Sequence, residues 1–375
     1  MSDIKLPFYR RSIFSTEQLS FKKDFQKYIV WVKDNEGELK KYPEPVWLEA
    51  GKRGFISPAG RGLSPLHSII IAEEIFRAGI PDFGLFLHNE IASPYIMGEG
   101  AEKIREALLK KMVEGRMRLA LALTEPEAGS DLAAIKTSYK TSGDRFEIEG
   151  TKTFVSNGMI AQGFIVAARQ EGTSGPHGVS LFFIPMGDRI ERRPLKVSGL
   201  GGLGLARITF KKADVDASHM IGKQGQGFRT IIKHLAWERF IVAVTAMAGA
   251  ETILAKTVAY AKGRHTFGKA LSERQSIRFK LAGAVAKTCA YRAYIDSLIQ
   301  KVVDGGSIDE EAEIVKLAAT THQLEIASEL KQVWGGEGMM DDNPLALLFR
   351  NAEAQVIYTG SSEMMKTAIA KKWDI

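Results

Sequence analysis

The stretch Leu123-Thr124-Glu125-Pro126-Glu127-Ala128-Gly129-Ser130-Asp131 sits just past a change in the character of the chain. Thr124 and Ser130 offer hydroxyls to the polar edge of a ring, and Gly129 lets a backbone come close. Taken alone, this run describes a β-turn. Its surroundings decide how it is read.

Before it, residues 1 to about 117 read as helical. Ser15 and Gln18 form a capping box ahead of Phe21, Phe25, Tyr28 and Ile29, which share one helical face. Ser64-Pro65 starts another helix, and Gly79 can end it. Apolar segments at 83–97 and 101–113 follow, the second closing near Gly115. From Arg118 to about Gly222 the segments are short and β-prone: 118–123, 146–154, 164–168, 179–185 and 206–210. Turn signals such as Ser142-Gly143-Asp144 and Gly172-Thr173-Ser174-Gly175 separate them. This spacing predicts a small sandwich or barrel, not a parallel α/β sheet. Long helical patterns return at 228–262, 272–303, 309–333 and 361–373, enough for a bundle. The predicted fold class is therefore α+β and multidomain. A helical N-terminal domain (1–117) precedes a middle β-sandwich or barrel domain (118–222) and a C-terminal four-helix bundle domain (223–375). The glycine-dense run Gly199-Leu200-Gly201-Gly202-Leu203-Gly204 precedes a predicted strand, so a dinucleotide-binding Rossmann reading fails on context.

Composition excludes several classes. The 375 residues are 45% hydrophobic and 25% charged, as in a globular protein. One cysteine, Cys289, permits no intrachain disulfide and no Cys-rich metal site. The longest strongly apolar run, 240–250, is 11 residues, short of the roughly 18 a membrane span needs. MSDIKLPF lacks the blocks of a secretory signal, so a cytoplasmic, reduced location without membrane insertion is expected. The net charge of +7 favours anionic ligands, but the basic residues are scattered, which argues against nucleic acid.

The opening stretch closely resembles the TEPxAGSD signature of the acyl-CoA dehydrogenase family. Four further runs resemble that family in its order. They are Gly150-Thr151-Lys152-Thr153-Phe154-Val155-Ser156-Asn157-Gly158, Arg264-His265-Thr266-Phe267-Gly268-Lys269 with Gln275 beyond, Gln332-Val333-Trp334-Gly335-Gly336-Glu337-Gly338, and Tyr358-Thr359-Gly360-Ser361-Ser362-Glu363. The resemblance implies a flavoprotein that binds FAD without a covalent bond and forms a homotetramer (a dimer of dimers) or a homodimer. It carries flavin-ring contacts to Leu123, Thr124, Gly129, Ser130, Phe154 and Ser156. Arg264, Thr266, Phe267 and Gln275 would meet the pyrophosphate and adenosine half across a subunit boundary, with Gln332, Gly335 and Gly336 near that half. Thr359 and Ser361 would meet the flavin from the terminal loop. Ser130, Arg239, Thr359 and Gly360 would touch the substrate. The residue types suit these roles: arginine pairs with phosphate, glycine admits a close backbone, and a phenylalanine covers a ring.

The implied reaction is oxidation of the Cα–Cβ bond of an acyl thioester, with a carboxylate taking the α-proton and flavin N5 the β-hydride. In many members the base directly follows the tyrosine of the terminal loop, where this chain has Thr359. The isovaleryl-CoA and long-chain branches instead place it in an E-R-(L/F) run on a helix, which Ala236-Trp237-Glu238-Arg239-Phe240 resembles. Glu238 is thus the candidate base. Its neighbours Leu235, Ala236, Trp237, Phe240, Ile241 and Val242 are apolar, so burial and a raised pKa are expected. The Thr359 backbone N–H and the flavin ribityl chain would polarise the thioester carbonyl. Glu90 lies where the family builds its acyl pocket floor, and it could shorten the pocket, favour a polar acyl group or face solvent. An electron-transferring flavoprotein is the expected acceptor. Other readings are a dehydrogenase of a carrier-protein-bound acyl group, an oxidase or flavin monooxygenase on the same fold, and a non-catalytic flavin-binding assembly partner.

Overall fold

A computed structural model describes residues 6–9, 11–35 and 43–375. The chain packs as two compact units, one made of Met1–Ile29, Pro65–Asp82 and Arg239–Ile375, the other of Val30–Ser64 and Phe83–Glu238. Helix Gly227–Gly263 contributes residues to both.

The first unit is helical. Helix Ala312–Trp334 is packed by helices Gln275–Val303, Ala346–Gln355 and Ser362–Trp373, and helix Pro65–Arg77 packs on Gln275–Val303. The capping box forms at the start of Thr16–Asp34: Ser15 N–H donates to Gln18 Oε1 (2.9 Å) and Gln18 N–H to Ser15 Oγ (3.3 Å). Helix Gly227–Gly263 is long and apolar enough to cross a membrane by composition, but 83% of its apolar window is buried inside the protein. A helix apolar on all faces is what a core position selects. Gly249 shows how closely this helix is approached, since a Cβ there would lie 2.3 Å from Gln323 Nε2.

A network of charged side chains crosses that helical core. Glu73 accepts from Arg11 (2.6 Å) and Arg292 (2.8 Å), and Glu251 from Arg292 (2.6 Å) and Arg77 (3.1 Å), while Asp296 accepts from Arg11 (2.7 Å). Burial alone would push the Glu73 carboxyl up; Arg11, Arg77 and Arg292 outweigh it and hold the group far below the usual carboxylate range.

The second unit is built on one sheet. Its strands are β1 (Leu119–Ala122), β2 (Ser138–Ser142), β3 (Arg145–Val155), β4 (Gly163–Gln170), β5 (Val179–Pro185), β6 (Ile190–Pro194), β7 (Ala206–Asp216) and β8 (Met220–Ile221). The order is β6-β7-β3-β2-β4-β5-β8, with β1 on β4. Pairing is antiparallel except that β4 runs parallel to β1 and β2. One face forms a core from Tyr139, Phe146, Phe164, Phe182, Ile208, Phe210 and their neighbours, with no helical residue among its members. The strands therefore cover one another, as a sheet-rich middle domain, expected as a sandwich or barrel, requires. The other face packs on Tyr95, Ile96, Ile104, Leu108 and Met112 from helices Ser93–Glu99 and Glu102–Val113.

A buried ion pair ties the loop after β1 to β3. Lys152 Nζ donates to Glu125 Oε1 (2.7 Å) and to the Leu123 carbonyl (3.0 Å). Glu125 also accepts from the backbone N–H groups of Lys136 (2.6 Å) and Thr137 (2.9 Å). Burial lowers the Lys152 pKa to about 8, against the pull of Glu125.

Three outcomes are expected. Arg292→Met leaves Glu73 to Arg11 and Arg77 and Glu251 to Arg77 alone, and should lower stability by about 1–3 kcal/mol, read by thermal unfolding. Because the Glu73 pKa is lowered by folding, its stabilisation is full above the ordinary carboxylate range and fades as pH falls below it; the wild-type Tm should drop there, and less so in Glu73→Gln. Lys152→Met should cost about 1–3 kcal/mol and speed amide exchange at Lys136 and Thr137; unchanged exchange would show that the pair does not hold the loop.

Candidate active site

The loop 123–131 closes on itself, with Glu125 and Ala128 exchanging backbone hydrogen bonds of 3.0 and 3.2 Å. The Glu125–Lys152 pair fixes its near end, and Thr153 N–H donates to the Thr124 carbonyl (2.9 Å). Leu123 and Thr124 are half-buried, whereas Gly129 and Ser130 are exposed, and the space a Cβ would fill at Gly129 is open. Beside them β3 departs from regular pairing with β7 between Lys152 and Val155. Phe154 lies within this irregularity at φ +54°, its side chain 62% exposed. A bulge re-aims a side chain, and left-handed backbone in a bulky residue is strained. Here both act to present an aromatic ring. Ser156 is half-buried two residues on; Asn157, also left-handed, is anchored by donating to the Gly84 carbonyl (3.0 Å).

Glu238 is buried, 4% exposed, as the apolar run around it implies. Tyr95 Oη donates to its Oε1 at 2.8 Å. Tyr95 follows a π-helical turn, His88–Ala92, whose polar side chains are buried and engaged. His88 Nδ1 accepts from Leu119 N–H (3.0 Å), and burial, with the charge of Arg118, lowers its pKa to about 3, so the ring is neutral. Asn89 accepts from Ser57 N–H (2.9 Å) and donates to the Phe55 carbonyl (2.9 Å). Glu90 does not face solvent: it is 4% exposed and accepts from Trp237 Nε1 (3.2 Å).

In the helical unit, Arg239 is paired with Glu313, which Lys372 also meets (3.0 Å). Thr359 is left-handed at φ +57° and Gly360 at φ +95°. Lys316 Nζ donates to the Gly360 carbonyl (2.7 Å), and burial followed by Arg239 lowers the Lys316 pKa to about 8. Ser361 Oγ caps helix Ser362–Trp373 by accepting from Met364 N–H (3.4 Å).

Arg264 leads into a hairpin of His265–Thr266 and Lys269–Ala270. Its two turn residues, Phe267 and Gly268, both have positive φ, the geometry of the tight primed turn. Phe267 is 97% exposed at the tip, and the Arg274 guanidinium lies 6.0 Å from its ring. Gln275 is exposed where the next helix starts. Gln332, Gly335 and Gly336 line a cavity of about 560 Å³ with Lys331, Met339 and Phe349. Nothing lies within 4 Å of a Cβ built on either glycine. The two motifs are linked by Tyr260, one turn before Arg264, which stacks on Trp334 (4.1 Å, 15°) just before Gly335.

Within the sheet unit, the structure thus brings Leu123 and Thr124 beside Thr153 and Phe154. Within the helical unit, it joins the arginine hairpin to the double glycine. Sequence reasoning missed Tyr95, the Glu125–Lys152 pair and the Lys316–Gly360 bond. Glu125 and Lys152 stand inside the quoted motifs, but nothing in their spacing shows that they meet. These residues fit FAD on observed grounds. A strained backbone presents an exposed phenylalanine ring on the strand that the 123–131 loop bonds to, and an open glycine hollow adjoins an exposed arginine hairpin.

Comparison with known proteins agrees. The chain matches the acyl-CoA dehydrogenase N-terminal domain over residues 20–116, the middle domain over 120–213 and the C-terminal domain over 225–373. It is 32% identical to the mitochondrial long-chain specific acyl-CoA dehydrogenase of Mus musculus, over 96% of this chain and 87% of that protein. It is 29% identical to a 3-(aryl)acrylate reductase of Clostridium sporogenes, over 96% and 99%. The crystal structure of an acyl-CoA dehydrogenase from Geobacillus kaustophilus superposes with a TM-score of 0.92 at 32% identity, covering 97% of this chain and all of that one. The chain belongs to the acyl-CoA dehydrogenase family, FAD-dependent oxidoreductases that dehydrogenate acyl-CoA.

Proposed function

We propose that Glu238 is the base that removes the α-proton of the acyl thioester. The observation that carries this reading is a carboxylate shielded from water and held by a hydrogen bond, in a chain whose terminal loop bears Thr359 where an acid would otherwise stand. An α-C–H is a poor acid, so its base must be close, desolvated and fixed in direction. When bound, FAD supplies the hydride acceptor for the β-carbon.

The chain's other residues set the stage for that transfer. The Thr359 N–H would donate to the thioester oxygen, and the Lys316 bond to the next carbonyl keeps this left-handed loop in place. Thr124, Ser130 and Ser156 would hydrogen-bond the polar rim of the flavin, with Leu123 and Gly129 beside it and Phe154 on its face. Arg264, Thr266, Phe267 and Gln275 would hold the pyrophosphate and adenosine half, with Gln332, Gly335 and Gly336. Ser361 would meet the flavin near the terminal loop, and Ser130, Arg239 and Gly360 would contact substrate. The likeness to a long-chain dehydrogenase supports the same branch here. An electron-transferring flavoprotein as acceptor and a homotetrameric or homodimeric assembly complete the proposal.

Glu238→Gln should retain bound flavin yet lose about 10²–10⁴-fold in the rate of anaerobic flavin bleaching by acyl-CoA. A near-normal rate in that variant would remove Glu238 from the role. Titrating wild type with a panel of acyl-CoAs identifies the preferred chain.

A further inference from the structure

The groups around Glu238 include one to which the reaction as described gives no part. Tyr95 is fully buried on helix Ser93–Glu99 and reaches across 143 positions of sequence to the carboxylate. We propose that Tyr95 is the positioning residue of the base: its hydroxyl, 2.8 Å from Glu238 Oε1, keeps the buried carboxylate ionised and fixes the direction in which it meets the substrate. This inference rests on Glu238 being the base.

The physical need is specific. Removing a carboxylate from water favours its protonated form, which cannot accept the α-proton. A donor hydrogen-bonded to the ionised form opposes that tendency. Tyr95 is suited to this and not to proton transfer. Burial first, then the charge and hydrogen bond of Glu238, raise its pKa well above the usual phenol value. It therefore keeps its own proton while Glu238 takes up the one leaving Cα.

The phenol is itself held. Its ring lies against His234 (centroids 4.3 Å apart, 33°), one turn before Glu238 on the same helix. Burial lowers the His234 pKa despite Glu99, so this neighbour adds no charge at neutral pH. Other charged groups nearby have partners of their own. Glu90 accepts from Trp237, Lys233 pairs with Glu99, and Arg239 pairs with Glu313. Asn89 and His88 anchor the turn from which Tyr95 emerges.

The test is the pH dependence of flavin reduction in the holoenzyme, using the acyl-CoA that bleaches wild type fastest. Tyr95→Phe should fold and keep its flavin. The acid limb of the rate should move up by about one pH unit, with about a tenfold loss near that limb, much of it recovered at higher pH. A limb that stays in place with an unchanged neutral rate overturns the proposal. Replacing Tyr95 with 3-fluorotyrosine gives a stronger donor and should move the limb down; this decides the matter if Tyr95→Phe loses flavin, and an unmoved limb again counts against the role. Glu238→Gln measured alongside separates the two readings. An active Glu238→Gln defeats the base assignment, whereas an inert one with an unmoved Tyr95→Phe limb defeats only the part given to Tyr95.

Discussion

A carboxylate taken out of water must be met by donors, or it takes up a proton. Three places in this chain answer that constraint differently. Glu73 and Glu251 are met by full positive charges from Arg11, Arg77 and Arg292, and the result is a rigid helical core. Glu125 is met by one lysine and two backbone amides, and the result is a loop fixed to a strand. Glu238 accepts a hydrogen bond from a phenol. In the role proposed for it, a hydroxyl supports the charge of this carboxylate and leaves it basic.

Local signals carried much of the fold. The Ser15 capping box, Pro65 at a helix start and the long helices from 227 onward were each written in a few neighbouring residues. Strands β4 and β5 are buried nearly throughout, so their apolar runs announced them. Strand β2 is mostly polar and exposed, and β6 carries Arg192, Arg193 and Pro194; neither looks like a strand until its partners supply the pairing. Helix Glu44–Lys52 and helix Ala346–Gln355 are short, and tertiary packing decides them more than periodicity does. The longest apolar run understated its helix, because interspersed threonines and alanines are buried with it.

The candidate site was legible where its residues are contiguous. The motif around Thr124, the arginine hairpin and the double glycine each sit within a dozen residues. The contacts that complete the candidate site do not. Tyr95 and Glu238, Glu125 and Lys152, and Lys316 and Gly360 are separated by 143, 27 and 44 positions. No periodicity pairs such residues, since only the folded chain brings them together. Glu90 was the ambiguous case, and burial beside Trp237 resolves its direction.

The π-helical turn at His88–Ala92 has a further meaning. Such a turn holds one residue more than regular winding would, and each residue of an α-helix represents about 100° of rotation. With Asn89 and His88 tethered to the backbone on either side, that surplus sets the phase of everything after it. Shortening the segment by one residue would swing the Tyr95 phenol about a quarter-turn from its carboxylate while leaving every side chain in the sequence otherwise intact. An insertion–deletion event here would break the Tyr95–Glu238 contact without touching either residue of the pair.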